Sequence, residues 1–232
     1  LLVKQETQVR EAPRLLGLKD QATSDLAESL MPQPVADYTD AAMAERERAR
    51  LFRKLPLLIG LSCELPEPGT YLCDDFSGVP IIVLRRKDGT VAAYRNVCRH
   101  RGARLLSGRG TVPDRISCPY HAWTYSGESG DLIAIPFRQG FPGLDTRCMG
   151  LVSLPVQEVH GLIFVAPDPS ACLHPGEFLG ELRADLAGFI LGDYHHFETR
   201  VLEQPLNWKL VVDTFPETYH LSTLHRTTIA PI

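Results

Sequence analysis

The chain has 232 residues, 44% hydrophobic and 22% charged, with a formal net charge of -4. That is ordinary globular composition, enough for one or two domains with real cores and no need of a disulfide staple. The basic residues are dispersed and no apolar run nears the roughly 20 residues a bilayer requires, so neither nucleic acid nor a membrane is expected as a partner.

"LLVKQETQVR" has too few leading apolar residues for a signal peptide, which points to a cytoplasmic location. The chain opens on Leu1 and stops at "RTTIAPI", and reads as part of a longer protein. Residues 1 to 38, broken by Pro13, Pro32 and Pro34, read as an arm or extended lead-in. "TDAAMAERERARLFRKL" predicts a helix capped by Thr39 or Asp40 and stopped by Pro56, with a thin apolar face of Met43, Leu51 and Phe52.

From 57 to 168 the texture becomes short β runs: "GTYLCDD", "VPIIVLRR", "TVAAYRNV", "RISCPY", "LVSLPVQEV" and "GLIFVAP". Asp88-Gly89 is a hairpin signal, and such short strands with frequent turns predict an antiparallel sandwich or small barrel. Arg85, Arg86 and Lys87 at that hairpin read as a solvated face, with docking of an acidic ferredoxin as the alternative. "HPGEFLGELRADLAGF" is helical in period, and "YHHFETRVLEQ" alternates like a strand. That alternation would turn His195 and His196 to opposite faces; they read, like His160 and His174, as structural or surface residues. "NWKLVVDTFPETYHLSTLH" predicts a helix interrupted by Pro216. Three segments result: 1–56, 57–168 and 169–232.

Six cysteines occur, and Cys63, Cys73, Cys148 and Cys172 read as small buried apolar residues. Cys98 and Cys118 differ, since His100 and His121 follow them as C-x-H and C-x-x-H, each pair in a loop at a strand end. Two Cys and two His can bind zinc or an iron–sulfur cluster. Zinc sites more often keep one residue type per arm, whereas a Rieske [2Fe–2S] centre puts two Cys on one iron and two His on the other. Mixed arms suit the second arrangement, because each arm can give one ligand to each iron.

With "CRHRGARL" and "CPYHAWTY" separated by seventeen residues between His100 and Cys118, the chain resembles the Rieske family. Neither loop carries the extra Cys that forms a disulfide in the high-potential respiratory members. Such clusters span roughly -150 to +300 mV and hydrogen bonds to sulfur raise them, so a potential toward the low end is expected. Further on, Glu217, His220 and His225 follow "NWK" as E-x-x-H-x(4)-H. Two imidazoles and a carboxylate with open positions characterise mononuclear non-haem Fe(II) oxygenases. Five residues are about 140° of an ideal helix, so the backbone must bend before both rings reach one ion.

Both motifs in this order, over about 40 to 232, resemble the large (α) subunit of Rieske non-haem iron ring-hydroxylating oxygenases. The resemblance implies an α+β fold, with an all-β Rieske domain followed by the start of a helix-grip-like catalytic domain. It implies a [2Fe–2S] cluster on Cys98, His100, Cys118 and His121, and Fe(II) on His220, His225 and a carboxylate expected beyond residue 232. It also implies O2 as co-substrate, with NAD(P)H supplying electrons through a separate reductase or ferredoxin. Glu217 would bridge His121 of an adjacent subunit to the iron site within a homotrimer, with or without a β subunit. Implied activities are mono- or dioxygenation or demethylation of an aromatic or quaternary-amine substrate, as in aromatic hydrocarbon catabolism. A Rieske ferredoxin-like electron carrier is the alternative.

Departures from the family pattern are Thr214 where many members have Asn, Ala122 where Gly usually follows the histidine, and His160 where Trp often stands. Glu217 replaces the commoner Asp, as in members acting on quaternary amines. Trp123 and Tyr125 are expected to pack beside the cluster, and Asp213 to support the iron site.

Overall fold

The computed structural model of the chain describes residues 5–25, 27–112 and 114–229. It divides into two compact units, one holding the described residues up to Asp25 with Arg48–Phe197, the other holding 27–47 and 198–229.

The first unit opens with helix α1 (Gln5–Asp20). The expected arm or extended lead-in is therefore helical over this stretch. Pro13 lies inside the helix, which buries no residue; good helix formers around it and the Glu11–Arg14 pair (2.8 Å, one turn apart) sustain it.

Eleven short strands follow among the described residues: β1 (Leu57–Leu61), β2 (Thr70–Asp74), β3 (Ile81–Arg85), β4 (Val91–Arg95), β5 (Arg109–Thr111), β6 (Arg115–Ser117), β7 (Thr124–Ser126), β8 (Leu132–Ala134), β9 (Ser153–Leu154), β10 (Val156–Val159) and β11 (Leu162–Val165). They pair antiparallel in three sheets, ordered β5-β2-β3-β4-β9, β1-β11-β10 and β6-β7-β8.

Period-two alternation decides what each face covers. On β3 and β4, Ile82, Leu84, Ala92 and Tyr94 point to a core shared with Ile116, Tyr125 and Leu132 of the β6-β7-β8 sheet. Ile81, Val83, Val91 and Ala93 point the other way, onto Ile163 and Val165 of β11. The five-stranded sheet is thus covered on both faces, which is why its central strands read as unbroken apolar runs. Each fully buried Ile, Leu or Val contributes about 1.5–3 kcal/mol relative to exposure.

The Asp88-Gly89 turn joins β3 to β4 as expected: Gly89 has φ 84°, and the Asp88 carboxylate accepts from the Thr90 N–H (2.9 Å) and hydroxyl (2.7 Å). Arg85 does not lie on a solvated face. It is 9% exposed, bound to both oxygens of Glu158 (2.6 and 2.9 Å) and to the Leu65 carbonyl (2.9 Å), because burying a guanidinium requires that its donors be matched. Arg86 donates to the Glu128 carbonyl and Lys87 pairs with Asp114.

Helices α4 (Pro175–Leu179) and α5 (Leu182–Gly188) break at Gly180 and place Leu179 and Leu186 against Leu162 and Phe164, the outer side of β11. The strand expected over 194–204 is absent among the described residues. No neighbour pairs with it, and Phe197, Val201 and Leu202 stay 78 to 89% exposed. Cys148 and Cys172 are exposed rather than buried, on a 3-10 turn and a loop. No helix among the described residues is long and apolar enough to cross a membrane.

The second unit holds α2 (Ala36–Thr39), α3 (Ala41–Glu47) and α6 (Trp208–Thr214). Asp40 accepts from the Ala42 N–H (2.8 Å), the capping role expected of it. The predicted long helix instead continues as a π-helical turn over Arg48–Phe52, in the first unit.

Candidate functional site

The two Cys/His loops share one construction. In the first, the Cys98 N–H donates to the Ala103 carbonyl (2.8 Å) and the Gly102 N–H to the Cys98 carbonyl (3.0 Å). In the second, the Cys118 N–H donates to the Trp123 carbonyl (2.8 Å) and the Ala122 N–H to the Cys118 carbonyl (2.9 Å). The fifth residue of each loop is left-handed, Gly102 with φ 75° and Ala122 with φ 52°. β6 and β7 hold the second loop at its base, where Ser117 and Thr124 pair and their hydroxyls bond at 2.9 Å.

Asn96, 1% exposed at the end of β4, closes the first loop. Its carboxamide oxygen accepts from the N–H groups of Leu105 and Leu106 (both 3.0 Å), and its amide donates to the Leu106 carbonyl (2.7 Å). Sequence reasoning passed over Asn96. The available signal was a polar residue with strong turn chemistry between a buried strand and the cysteine.

The loops divide their side chains by depth. Cys98 and Cys118 are 3% and 4% exposed in the main core, while His121 is exposed and His100 half-buried. The imidazoles lie together, with ring centroids 4.8 Å apart. Trp123 stacks on His100 at 4.7 Å and 9°, and Phe141 meets both rings edge-on. Burial, with His121 and Arg101 nearby, holds His100 below its ordinary pKa, favouring the neutral ring that ligates metals.

The Tyr125 hydroxyl accepts from the Arg99 N–H (2.9 Å) and sits 3.2 Å from the Cys98 sulfur. With its oxygen engaged by Arg99, its proton is free to donate to sulfur. Burial, and then the bond to Cys98, push the phenol well above its ordinary value, so it remains a donor at neutral pH. The expected low potential assumed that the sulfurs lack hydrogen-bond support. Tyr125 is placed to supply one such bond, to the Cys98 sulfur.

This donor set fits a [2Fe–2S] cluster: two thiols inside, two imidazoles outside and a hydroxyl aimed at sulfur.

In the second unit the "NWK" motif is a clamp. The Asn207 side chain caps α6 by accepting from the Lys209 N–H (2.9 Å) and donates to the Tyr38 carbonyl (2.8 Å). The Trp208 indole donates to Glu47 (3.0 Å), which also pairs with Lys209. α6 stops at Thr214, whose hydroxyl bonds back to the Leu210 carbonyl (2.8 Å). Asp213 accepts from the Tyr38 hydroxyl (2.7 Å).

Past Pro216 the backbone runs as turns, not regular helix. The Leu224 N–H donates to the His220 carbonyl (2.7 Å) and the His225 N–H to the Leu221 carbonyl (3.2 Å). This supplies the bend, leaving the His220 and His225 ring centroids 5.4 Å apart. That spacing is within the span of two imidazoles bound to one ion at about 2.0–2.1 Å. Glu217 accepts from the His220 backbone N–H (3.2 Å) and bonds its ring Nδ1, which leaves Nε2 for a metal. The His220 bond holds the Glu217 carboxyl below its usual range.

His196 lies 3.7 Å from Glu64, while His160 sits with Gly161 in the two-residue β10–β11 turn, both with positive φ. A concavity of about 760 Å3 in the first unit is lined by Arg85, Glu158, Asp193 and His196 among others; no cluster-loop residue borders it.

Residues 56–152 match the Rieske [2Fe-2S] domain family, and residues 191–232 the ring hydroxylating alpha subunit (catalytic domain) family. The carnitine monooxygenase oxygenase subunit of Acinetobacter baumannii is 33% identical over 193 residues, 83% of this chain and 52% of that protein. The biphenyl 2,3-dioxygenase subunit alpha of Rhodococcus jostii is 31% identical over 230 residues, 94% of this chain and 49% of that protein. Among solved structures, a quaternary ammonium Rieske monooxygenase studied for carnitine oxidation and inter-subunit electron transfer superposes with a TM-score of 0.76. It is 32% identical, covering 82% of this chain and 52% of its own. The chain spans about half the length of the curated relatives it matches. It belongs to the Rieske oxygenase alpha subunits, whose two domain types imply a [2Fe–2S] cluster and a mononuclear iron.

Proposed function

We propose that this chain is part of a terminal oxygenase that hydroxylates or demethylates a small quaternary ammonium compound. One observation carries the proposal: a single chain holds both the paired Cys/His loops and the Glu217–His220–His225 group. A carrier protein needs only the first. The substrate class follows from Glu217, and from a relative and a structural neighbour that act on carnitine.

When bound, the cluster stores and relays single electrons and the mononuclear iron activates O2. The chain's own residues do the rest. Cys98 and Cys118 would hold one cluster iron from the dry core, and His100 and His121 would hold the other at its edge. Tyr125 donates a hydrogen bond to the Cys98 sulfur and so favours the reduced, more negative state. Glu217 fixes the His220 ring with Nε2 forward. His220 and His225 would hold the mononuclear iron, together with a third ligand, a carboxylate. In a homotrimer, Glu217 also meets the partner subunit's His121, which joins the two sites across the interface.

Residues 57–168 carry the cluster loops, and 207–225 carry the mononuclear iron site. The electron donor is a separate reductase or ferredoxin using NAD(P)H, and the location is cytoplasmic. The test is anaerobic Fe(II) titration of the full-length protein, followed by O2 uptake with a surrogate reductase against quaternary amines, aromatic acids and arenes. One iron beyond the cluster and uptake with a quaternary amine are expected. No iron beyond the cluster would sink the oxygenase assignment, and uptake with arenes alone would sink the substrate class.

A further inference from the structure

The two histidines of the cluster loops are held by different means. His121 is exposed, with the ring of Tyr120, itself 61% exposed, 4.0 Å from its own and Arg101 over the Tyr120 ring at 5.9 Å. His100 instead lies flat on Trp123 (4.7 Å, 9°), a side chain only 2% exposed whose own carbonyl closes the second loop on the Cys118 N–H. Phe141 stands edge-on to both rings, at 6.0 Å and 84° from His100 and 5.5 Å and 79° from Trp123. Arg138 ties the Phe141 turn, donating to the carbonyls of Phe141 and Leu144. Trp123 belongs to the second loop and His100 to the first, so the stack also couples the two loops.

We propose that Trp123, backed by Phe141, is the positioning residue for His100: the ring stack sets the orientation of that one ligand and shields it from water, while His121 is left free to face outward. This rests on the assignment of the [2Fe–2S] cluster to Cys98, His100, Cys118 and His121. A buried flat ring on one imidazole restricts its rotation about the Cα–Cβ and Cβ–Cγ bonds, the orienting role that hydrogen-bond partners play for other metal-bound histidines, where their loss costs about 10–100-fold in metal affinity or activity. The two histidines should therefore respond separately to substitution.

The test is pulsed electron paramagnetic resonance on the reduced full-length protein, reading the two histidine nitrogen couplings, with cluster loss to an iron chelator followed by visible absorbance. Trp123→Leu is expected to shift one coupling only and to speed cluster loss roughly tenfold or more, Trp123→Phe to restore both toward wild type, and Tyr120→Ala to leave that coupling in place. If Trp123→Leu does not load a cluster, Phe141→Leu carries the test, with the same single coupling expected to move. Two unchanged couplings beside a lowered melting temperature would reduce Trp123 to a packing residue and overturn the proposal, as would equal shifts in both. Absence of any reduced-cluster signal from the wild-type protein would instead overturn the cluster assignment beneath it.

Discussion

The cluster loops and the 207–225 segment both gather metal-ligating side chains, but they hold them at different range. Cys98 and Cys118 sit in a core made by two sheets, and their supports come from far along the chain: Tyr125 is 27 residues from Cys98, and Phe141 lies beyond the loops altogether. His220 and His225 are held by neighbours, since Glu217 is three residues from His220 and the turns that bring the rings together close within five. The first site is organised by tertiary packing and the second by local backbone chemistry. A site of the first kind should lose its metal when one buried ligand is cut, and a site of the second should be tuned by a single nearby residue.

The largest expected effects test whether the regions are separate. Cys118→Ser in the full-length protein should abolish the cluster, read as loss of visible absorbance and acid-labile sulfide, while leaving Fe(II) uptake at His220 and His225 intact. His220→Ala should do the reverse, with the cluster spectrum unchanged and the additional iron lost. If either variant empties both sites, the contrast drawn here between the two regions fails. Glu217→Gln is the next step down. It keeps a hydrogen-bonding group against His220 Nδ1 but removes the charge, so both metals should remain while turnover falls about 10–100-fold. Unchanged turnover in steady-state O2 uptake would leave Glu217 as a mere cap on the His220 N–H.

How much of this could be read from the residues follows the same division by range. The strands of the first unit were legible because short β runs bounded by turn residues, such as Asp88-Gly89, are local signals, and so were the ligand pairs, which are short spacings. The inward turn of Arg85 was not legible, because its partner Glu158 is 73 residues away and comes near only when β10 and β3 are assembled. The Tyr125 hydroxyl was hidden for the same reason, whereas Asn96, whose partners Leu105 and Leu106 lie nine and ten residues on, did leave a local signal. Helix α1 was missed through overweighting Pro13, and the supposed strand at 194–204 shows that alternation without a pairing partner makes no sheet.

Tyr125→Phe isolates one long-range support. The phenol donates to a sulfur whose negative charge grows on reduction, so its bond stabilises the reduced state and raises the potential. A net hydrogen bond of about 0.5–1.5 kcal/mol corresponds to about 20–60 mV for one electron. Redox titration should therefore show a fall of that size with the cluster retained. A rise, or no change, would mean the proton points elsewhere.

The smallest effect bears on the loops themselves. Gly102 and Ala122 occupy the same position in two loops of the same hydrogen-bond pattern, both left-handed. For Ala122 that conformation costs about 1–2 kcal/mol, since its Cβ crowds the following carbonyl, whereas glycine pays instead about 0.5–1 kcal/mol in unfolded-state entropy. Ala122→Gly should thus raise stability by roughly 0.5–1 kcal/mol, a shift of a few degrees in melting temperature for a domain of this size. The converse change, Gly102→Ala, meets no atom within 4 Å of its new Cβ, so only the backbone term opposes it, and a loss of about 1 kcal/mol is expected. Opposite signs at the two positions would show that the loops share one backbone requirement that only one of them meets with glycine. Equal signs would mean that the second loop relaxes around its alanine, so that the likeness between the loops ends at their hydrogen bonds.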